Sequence, residues 1–536
     1  MKKYSIILFS VIVATLLSSC SDWLNLKPED GVTVDEFWQT KEQVNSAVIG
    51  CYASLLNGPV EKMFLWGELR ADMVENGIFP INNYSEVIDG EISASNSVVN
   101  WASIYTTINN CNTLLKYAPT VQAIDGTFTN KQLKQYEAEA LTLRAMMYFY
   151  LVRSFKDVPL VLEASVSDNQ KFSIPKTDGS VILDTLVHDL KIASANAPIA
   201  YSSNAENKSR ITSWTAKTLL ADIYLWQEKY AECNALCNEV IGSGKFSLIP
   251  VERKKYYILD SGTAVDSVYV ANESDADNMF VKSYVTGSSI ESIFEIPFTT
   301  LKNNPFYSML GPNINTLKPK LDIVDGLIFP GALYSVQSDA TDIRGSGCSY
   351  RVGVAWKYVG TSRTGAVRAS SEYTTPWIVY KYSDILLMNA EALNQLGKMS
   401  NDSATIQDYY SKSIENLNKV RNARNAVNTS DYKYIIGNVD GKVLEQGILD
   451  ERAREFAYEG KRWYDVLRYA KRGEYAGNNL QYLLTLAVNS ASPQKQENLK
   501  TNYRDSRFGH GSHYWPIYIS ELEANKQLIQ NGFYAQ

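Results

Sequence analysis

The chain has 536 residues, 45% hydrophobic and 21% charged, a balance that fits a globular protein with room for a large core. A net charge of -6 argues against nucleic acid as a partner, and no Lys/Arg run offers a phosphate-binding patch. Aromatic residues reach 12%, with 35 Tyr, and that surplus is the one compositional oddity.

Lys2 and Lys3 precede an apolar run from Ile6 to Leu17, too short to span a bilayer comfortably and shaped like a signal peptide. It ends in Leu17-Ser18-Ser19-Cys20, similar to a bacterial lipobox, with Ser19 where Gly or Ala is commoner. Residues 20–35 read as a tether, and 36–536 as a single domain. Five further cysteines, an odd number, argue against a disulfide framework and read as buried small hydrophobes.

Val44, Ala47, Val48, Tyr52 and Leu55 predict a first amphipathic helix. Residues 58–95 contain Gly, Pro and Asn without sustained periodicity and read as an ordered loop. Trp101, Ile104, Ile108, Cys111 and Leu115 predict a second helix. Leu133, Tyr136, Ala140, Leu143, Met147 and Leu151 predict a third, which Pro159 follows and stops. Residues 180–197 supply another.

Residues 211–242 read as a helical hairpin with small residues at the crossing and Tyr230 after the turn, the tetratricopeptide-repeat pattern. A second copy spans 377–424. The predicted fold is therefore mainly α, with such hairpins stacked in one right-handed curved body. The scaffold covers about 36–57, 96–242 and 377–536. Between the copies, residues 243–376 are rich in Gly, Ser, Thr, Asn and Tyr, with short β-branched runs such as Ser292–Pro297, and predict a folded loop and short-strand insert. From Gly447 to Gly473, Leu449, Ala453, Phe456, Gly460, Trp463, Leu467 and Ala470 form one stripe. It predicts a central packing helix, with Gly460 admitting a neighbouring backbone.

Several of these stretches resemble the SusD/RagB-like family of outer-membrane nutrient-binding lipoproteins. They are Glu451-Arg452, Glu455-Phe456, Glu459-Gly460 and Arg462-Trp463, the run AEALTLRAMMYFYLVRSFKDVPL, the run PWIVYKYSDILLMNAEALNQLG, and the close HYWPIYISELEANKQLIQNGFY. The resemblance covers nearly the whole mature chain. It implies cleavage of residues 1–19, lipidation of Cys20, attachment to the outer membrane facing the cell exterior, and a SusC-like TonB-dependent transporter as partner. It also implies capture of a nutrient, usually an oligosaccharide, without catalysis or cofactor.

Among catalytic arrangements, only His188, His510 and His513 are available for a triad or a metal, and His510 with His513 reads as a surface pair. Gly242-Ser243-Gly244-Lys245 follows a helix and reads as its C-cap instead of a phosphate loop. Glu455 and Glu459 have the pairing a glycosidase needs, but Arg neighbours at helical spacing favour structural ion pairs. Asp275, Asp277 and Asn278 imitate part of a calcium loop, without its Gly and closing Glu, and read as a solvated acidic loop.

Aromatic surface remains. Sugar C–H faces stack on Trp and Tyr, while hydroxyls need amide, carboxylate or guanidinium partners. Trp66, Tyr84, Tyr307, Tyr350 and Trp356 sit in irregular stretches near Asn82, Asn83, Asn304, Asp339, Asp342 and Arg351, and are the candidate ligand-binding residues, with Trp101 as a sixth. The alternative for each ring is burial in the insert's own core. Two rival functions stand beside nutrient capture: a periplasmic helical-repeat scaffold for proteins, and a surface glycoside hydrolase.

Overall fold

Three capping boxes set the starting points of the helical stack. Thr40, Thr129 and Thr212 each accept the amide three residues on, while the side chain there, Gln43, Gln132 or Thr215, accepts the cap's own amide. The computed structural model describes residues 34–535 except 168, 169, 171, 261, 313, 314, 330–340, 352 and 427–439. Cys20, the signal segment, the start of the tether and Asp339 lie outside the described residues.

In chain order the main helices are α1 (Lys41–Leu55), α2 (Pro59–Glu68), α3 (Ala102–Ile124), α4 (Asn130–Phe155), α5 (Gly179–Asn196), α6 (Ser213–Trp226), α7 (Tyr230–Gly242), α8 (Tyr382–Met399), α9 (Ser403–Ala423), α10 (Gly441–Glu455), α11 (Arg462–Arg472) and α12 (Gly477–Ser490). They pack serially: α1 on α3, α3 on α4, α4 on α5, α5 on α6, α6 on α7, α7 on α8, then α8 on α9 and α10. Short turns at 227–229 and 400–402 make α6–α7 and α8–α9 antiparallel hairpins, as their sequences predict. Ala216, Ala221 and Ala390 are fully buried at these crossings, where a small side chain lets two helices approach. The fold is the predicted stack of tetratricopeptide-like hairpins.

Three two-stranded antiparallel sheets complete the architecture among the described residues. β1 (Val74–Asn76) pairs with β5 (Leu317–Pro319), and β4 (Ser292–Ile296) with β6 (Trp377–Lys381). The first pair ties the insert to the 58–95 segment and the second ties it to the scaffold. β2 (Arg253–Asp260) and β3 (Thr263–Ala271) form a hairpin of their own.

Two expectations are corrected. Residues 58–95 contain α2, which starts with Pro59 at its first position and buries Val60, Met63, Phe64, Leu65 and Trp66. Proline is well suited to that position because the first-turn amide has no intrahelical acceptor. The 447–473 stripe is two helices, α10 and α11. They are separated by a turn in which Tyr458 (φ 62°) and Gly460 (φ 67°) are left-handed. The apolar spacing runs on across the break because both helices face one core. Gly460 does admit a neighbouring backbone: a Cβ on Gly67 of α2 would run into its carbonyl, and one on Gly460 would lie 2.8 Å from the Met63 oxygen.

Candidate functional site

The acids of the 447–473 stretch hold the insert to the scaffold. Glu455 pairs with Arg344 at 3.1 Å, Arg424 at 3.2 Å and Lys381 at 3.4 Å. Glu459 pairs with Lys357 at 2.8 Å and Lys381 at 2.9 Å, and Glu451 with Arg344 at 2.7 Å. Arg344 and Lys357 come from the insert, Lys381 from β6, and Arg424 from the end of α9. All of these side chains are buried. Burial by itself lifts the Glu455 carboxyl, but Arg424, Lys381 and Arg344 outweigh it and hold the group well below the usual carboxylate range. Charged and sealed, Glu455 and Glu459 are the structural pair their spacing predicts, with neither a protonated acid nor a face open to substrate.

Glu68 contrasts with them. Its Oε2 accepts the Gly460 amide at 3.1 Å, while Oε1 has no partner among the described residues. Burial, with the neighbouring Asp72 adding to it, pushes the carboxyl up to about 8.

The structure buries five of the six candidate aromatics. Trp66 is fully enclosed; its Nε1 donates to the Val98 carbonyl at 2.8 Å and its ring meets Phe155 edge-on at 5.1 Å. Trp101 packs on the same Phe155 at 4.9 Å. Trp356 donates to the Ser362 carbonyl at 2.8 Å, and the Arg351 guanidinium covers its ring at 4.6 Å. Tyr350 is buried with its hydroxyl on Asp325. Tyr84 is buried, its hydroxyl 3.4 Å from Glu61 and 3.9 Å from the Met309 sulfur. The expectation that Trp66, Tyr84, Trp101, Tyr350 and Trp356 offer stacking faces is corrected. Trp66 and Trp101 pack on Phe155 in the helical core, Tyr84 is buried near Met309, and the insert, without long helices, uses Tyr350 and Trp356 as its own core.

Tyr307 differs. It is half-buried, and its ring lies 3.7 Å from that of Tyr373, the two planes 25° apart. It sits on the short helix Phe306–Leu310 with Met309, so this helix brings Tyr307 and Tyr84 into one neighbourhood. Near them in the chain, Asn83 donates to Ser97 at 2.6 Å and Asn303 to the Ser370 carbonyl at 3.2 Å. Lys62 donates to the Ser97 carbonyl at 2.7 Å, and burial, against the opposing pull of Glu61, pushes its amine down to about 8. Just before Tyr84, Ile78 and Phe79 are exposed on a loop fixed by Asn315, whose side chain accepts the Ile78 amide and whose carbonyl accepts that of Phe79.

Among the described residues no group of three or more His, Cys, Asp or Glu converges. His513 is buried, not on the surface. Its Nε2 lies 2.8 Å from the Tyr503 carbonyl, and burial pushes it down to about 3. Asp275 and Asp277 belong to a helix, Glu273–Phe280, and accept the amides of Glu252 and Arg363, so the acidic-loop expectation is corrected as well.

A groove of about 1010 Å³ lies elsewhere, between α10 and α12, with Glu445, Asp450, Tyr469, Gln481 and Tyr482 along it. Tyr469 and Tyr482 meet edge-on at 5.5 Å there. Sequence spacing offered no signal for it, because the lining comes from helices that only tertiary packing brings together.

Comparison with known proteins decides the family. The description "SusD family" matches residues 331–534, and "Starch-binding associating with outer membrane" matches residues 22–225. SusD-like protein P38 of Formosa agariphila is 26% identical over 497 residues, 89% of this chain and 93% of the relative. The chain belongs to the SusD/RagB-like family. SusD-like protein P25 of the same organism is 24% identical over 506 residues, 88% of this chain and 90% of its own length. A SusD superfamily protein from Bacteroides vulgatus shares the fold with a TM-score of 0.66 at 21% identity, covering 93% of this chain and 100% of its own. Another from Bacteroides thetaiotaomicron gives a TM-score of 0.65 at 19% identity, covering 93% and 99%. SusD-like proteins are in general non-catalytic, glycan-binding surface proteins. In this SusD-like chain no described helix is long and apolar enough to cross a membrane.

Proposed function

We propose that this SusD-like chain is a lipid-anchored protein on the cell exterior that captures a glycan and passes it to a SusC-like TonB-dependent transporter, leaving the glycan's bonds intact. The observation that carries the reading is the half-exposed Tyr307 ring, backed by Tyr373 and neighboured by Tyr84. A sugar ring laid on Tyr307 buries its C–H face, while its hydroxyls need polar partners at the edge. A hydrolase needs one protonated and one ionised carboxyl reaching the same bond. Glu455 and Glu459 are instead buried and ion-paired, which supports binding without turnover. The helical stack serves as the rigid dock for the transporter, and Cys20 carries the lipid.

Affinity gels containing a panel of glycans test the reading. Tyr307→Ala is expected to lower retention about tenfold, the loss of one good ring contact, while leaving the melting temperature within about 2 °C of the parent. Unchanged retention in every gel that holds the parent moves the site away from Tyr307. Steady release of reducing sugar that stops when one carboxylate is changed overturns the non-catalytic assignment. Protease shaving of intact cells separates this reading from a periplasmic scaffold, which external protease leaves in place.

A further inference from the structure

The β2–β3 hairpin carries chemistry that the tyrosine neighbourhood does not use. Its register sets Arg253 opposite Ala271, Lys255 opposite Tyr269 and Tyr257 opposite Ser267. Strand side chains alternate, and directly paired residues share a face. One face of the hairpin therefore bears Arg253, Lys255, Tyr257, Ser267, Tyr269 and Ala271. The register shift lies beyond these residues, between Ile258 and Leu259, and leaves the alternation intact. Among those six residues there are two cations, two phenol rings and no acid.

Their geometry is that of a cation–aromatic platform. The Lys255 ammonium lies 5.1 Å from the Tyr257 ring centre and 5.9 Å from that of Tyr269, and the Arg253 guanidinium lies 4.8 Å from Tyr269. Arg253 donates to Asn422 at 3.1 Å with one nitrogen, while its buried Nη1 has no acceptor. Tyr257 is 63% exposed and Lys255 is exposed. On the opposite face Val268 is buried, while Lys254 and Tyr256 are exposed without a second ring beside them on their paired positions, Val270 and Val268. The Lys255 ammonium has no carboxylate partner among the described residues. In a chain of net charge -6, this is a positive face on which Lys255 and the Tyr257 ring meet solvent, with Arg253 and Tyr269 half-buried beside them.

We propose that this hairpin face is a second glycan site, selective for an anionic polysaccharide whose carboxylate or sulfate groups meet Lys255 and Arg253 while its sugar rings stack on Tyr257. The proposal rests on the reading of the protein as a glycan binder and adds the ligand's charge class. Lys255 and Tyr257 stand about 7 Å apart along the strand, so a charged substituent and the ring that bears it are engaged side by side. Lys254, on the opposite face, supplies the internal control, because its removal changes the net charge equally.

Affinity electrophoresis of the purified protein tests it, in gels holding a neutral glucan, polygalacturonate or a sulfated galactan at equal mass. A single-stranded oligonucleotide serves as a further arm. Retention is expected to be strongest in the anionic gels, with the uronate and sulfate arms identifying the preferred anion. Lys255→Gln and Tyr257→Ala are each expected to weaken it about tenfold, and Lys254→Gln by less than about twofold. Equal losses in Lys254→Gln and Lys255→Gln overturn the proposal in favour of diffuse charge attraction, as does equal retention of the oligonucleotide. Binding of neutral glucan alone, unaffected by Tyr257→Ala, overturns the hairpin site while leaving the Tyr307 reading standing. No retention in any gel overturns that reading and this inference with it.

Discussion

The α6–α7 hairpin and the 243–376 insert both bury large rings, but different forces hold them. In the hairpin, Ala216, Leu220, Ala221 and Tyr224 line one stripe, and the helices pair their own backbone groups, so apolar packing is sufficient. The insert has only short helices and strands and must build its core from rings and charges. Phe306 packs on Trp377 at 4.8 Å and on Tyr358 at 4.7 Å, and the Tyr358 hydroxyl donates to the Tyr458 carbonyl at 2.6 Å. Arg344 and Lys357 then cross to Glu451, Glu455 and Glu459. An aromatic surplus in a loop-rich segment is thus first a means of making a core where helices are absent. Rings such as Tyr307 and Tyr257 keep part of their surface outside that core.

Removing Glu455 is the strongest way to break this contrast. Glu455→Gln strips the shared partner from Arg344, Arg424 and Lys381 and is expected to cost about 3–5 kcal/mol, measured by chemical denaturation. Hydrogen exchange should rise in the insert while α1 and α3 keep their protection; uniform loosening would mean that the two regions are not held separately. Trp356→Ala is expected to cost about 3–5 kcal/mol through its cavity and the lost bond to Ser362. An unchanged melting temperature would return Trp356 to the list of ligand contacts. Smaller again, Gly67→Ala forces α2 away from the Gly460 turn and is expected to cost about 1–3 kcal/mol, read as a lower melting temperature.

The mildest effect is a pH dependence. Glu68 has a folded pKa of about 8, raised by burial above the ordinary glutamate value. Its contribution to stability is complete below the unfolded value, near 4.3, and is lost as the pH rises through about 8. Glu68→Gln keeps an oxygen for the Gly460 amide and removes the titration. The variant should gain stability relative to the parent between about pH 5 and 9, and a parallel pair of stability curves would place the proton elsewhere.

How much of this was legible depended on the element. The hairpins at 213–242 and 382–423 were readable because a helix that buries one face repeats its apolar residues every three or four positions. The same rule misled at 447–473, where the spacing continues through the turn at Tyr458–Gly460. The Gly is the available signal, and it serves both as a packing contact and as the break. At α2, Gly58-Pro59 has the composition of a loop, yet proline also opens helices. The candidate rings fared worst, because a Trp in an irregular stretch has no period from which to judge which side is covered. The hairpin cations went unremarked: three basic residues are too short a run to stand out until β-pairing puts Lys255 beside Tyr269.

By itself the sequence determined the family, the helical repeat and the place of the insert, since those depend on local spacing and on motifs that survive as residue identities. The tertiary structure alone decided which acids are sealed in ion pairs, which rings are core and which remain at the surface. Burial is a property of the neighbours a residue acquires, and those neighbours are distant in the chain: Glu68 meets Gly460, Arg344 meets Glu455, and Tyr84 meets Met309 only after the fold has formed.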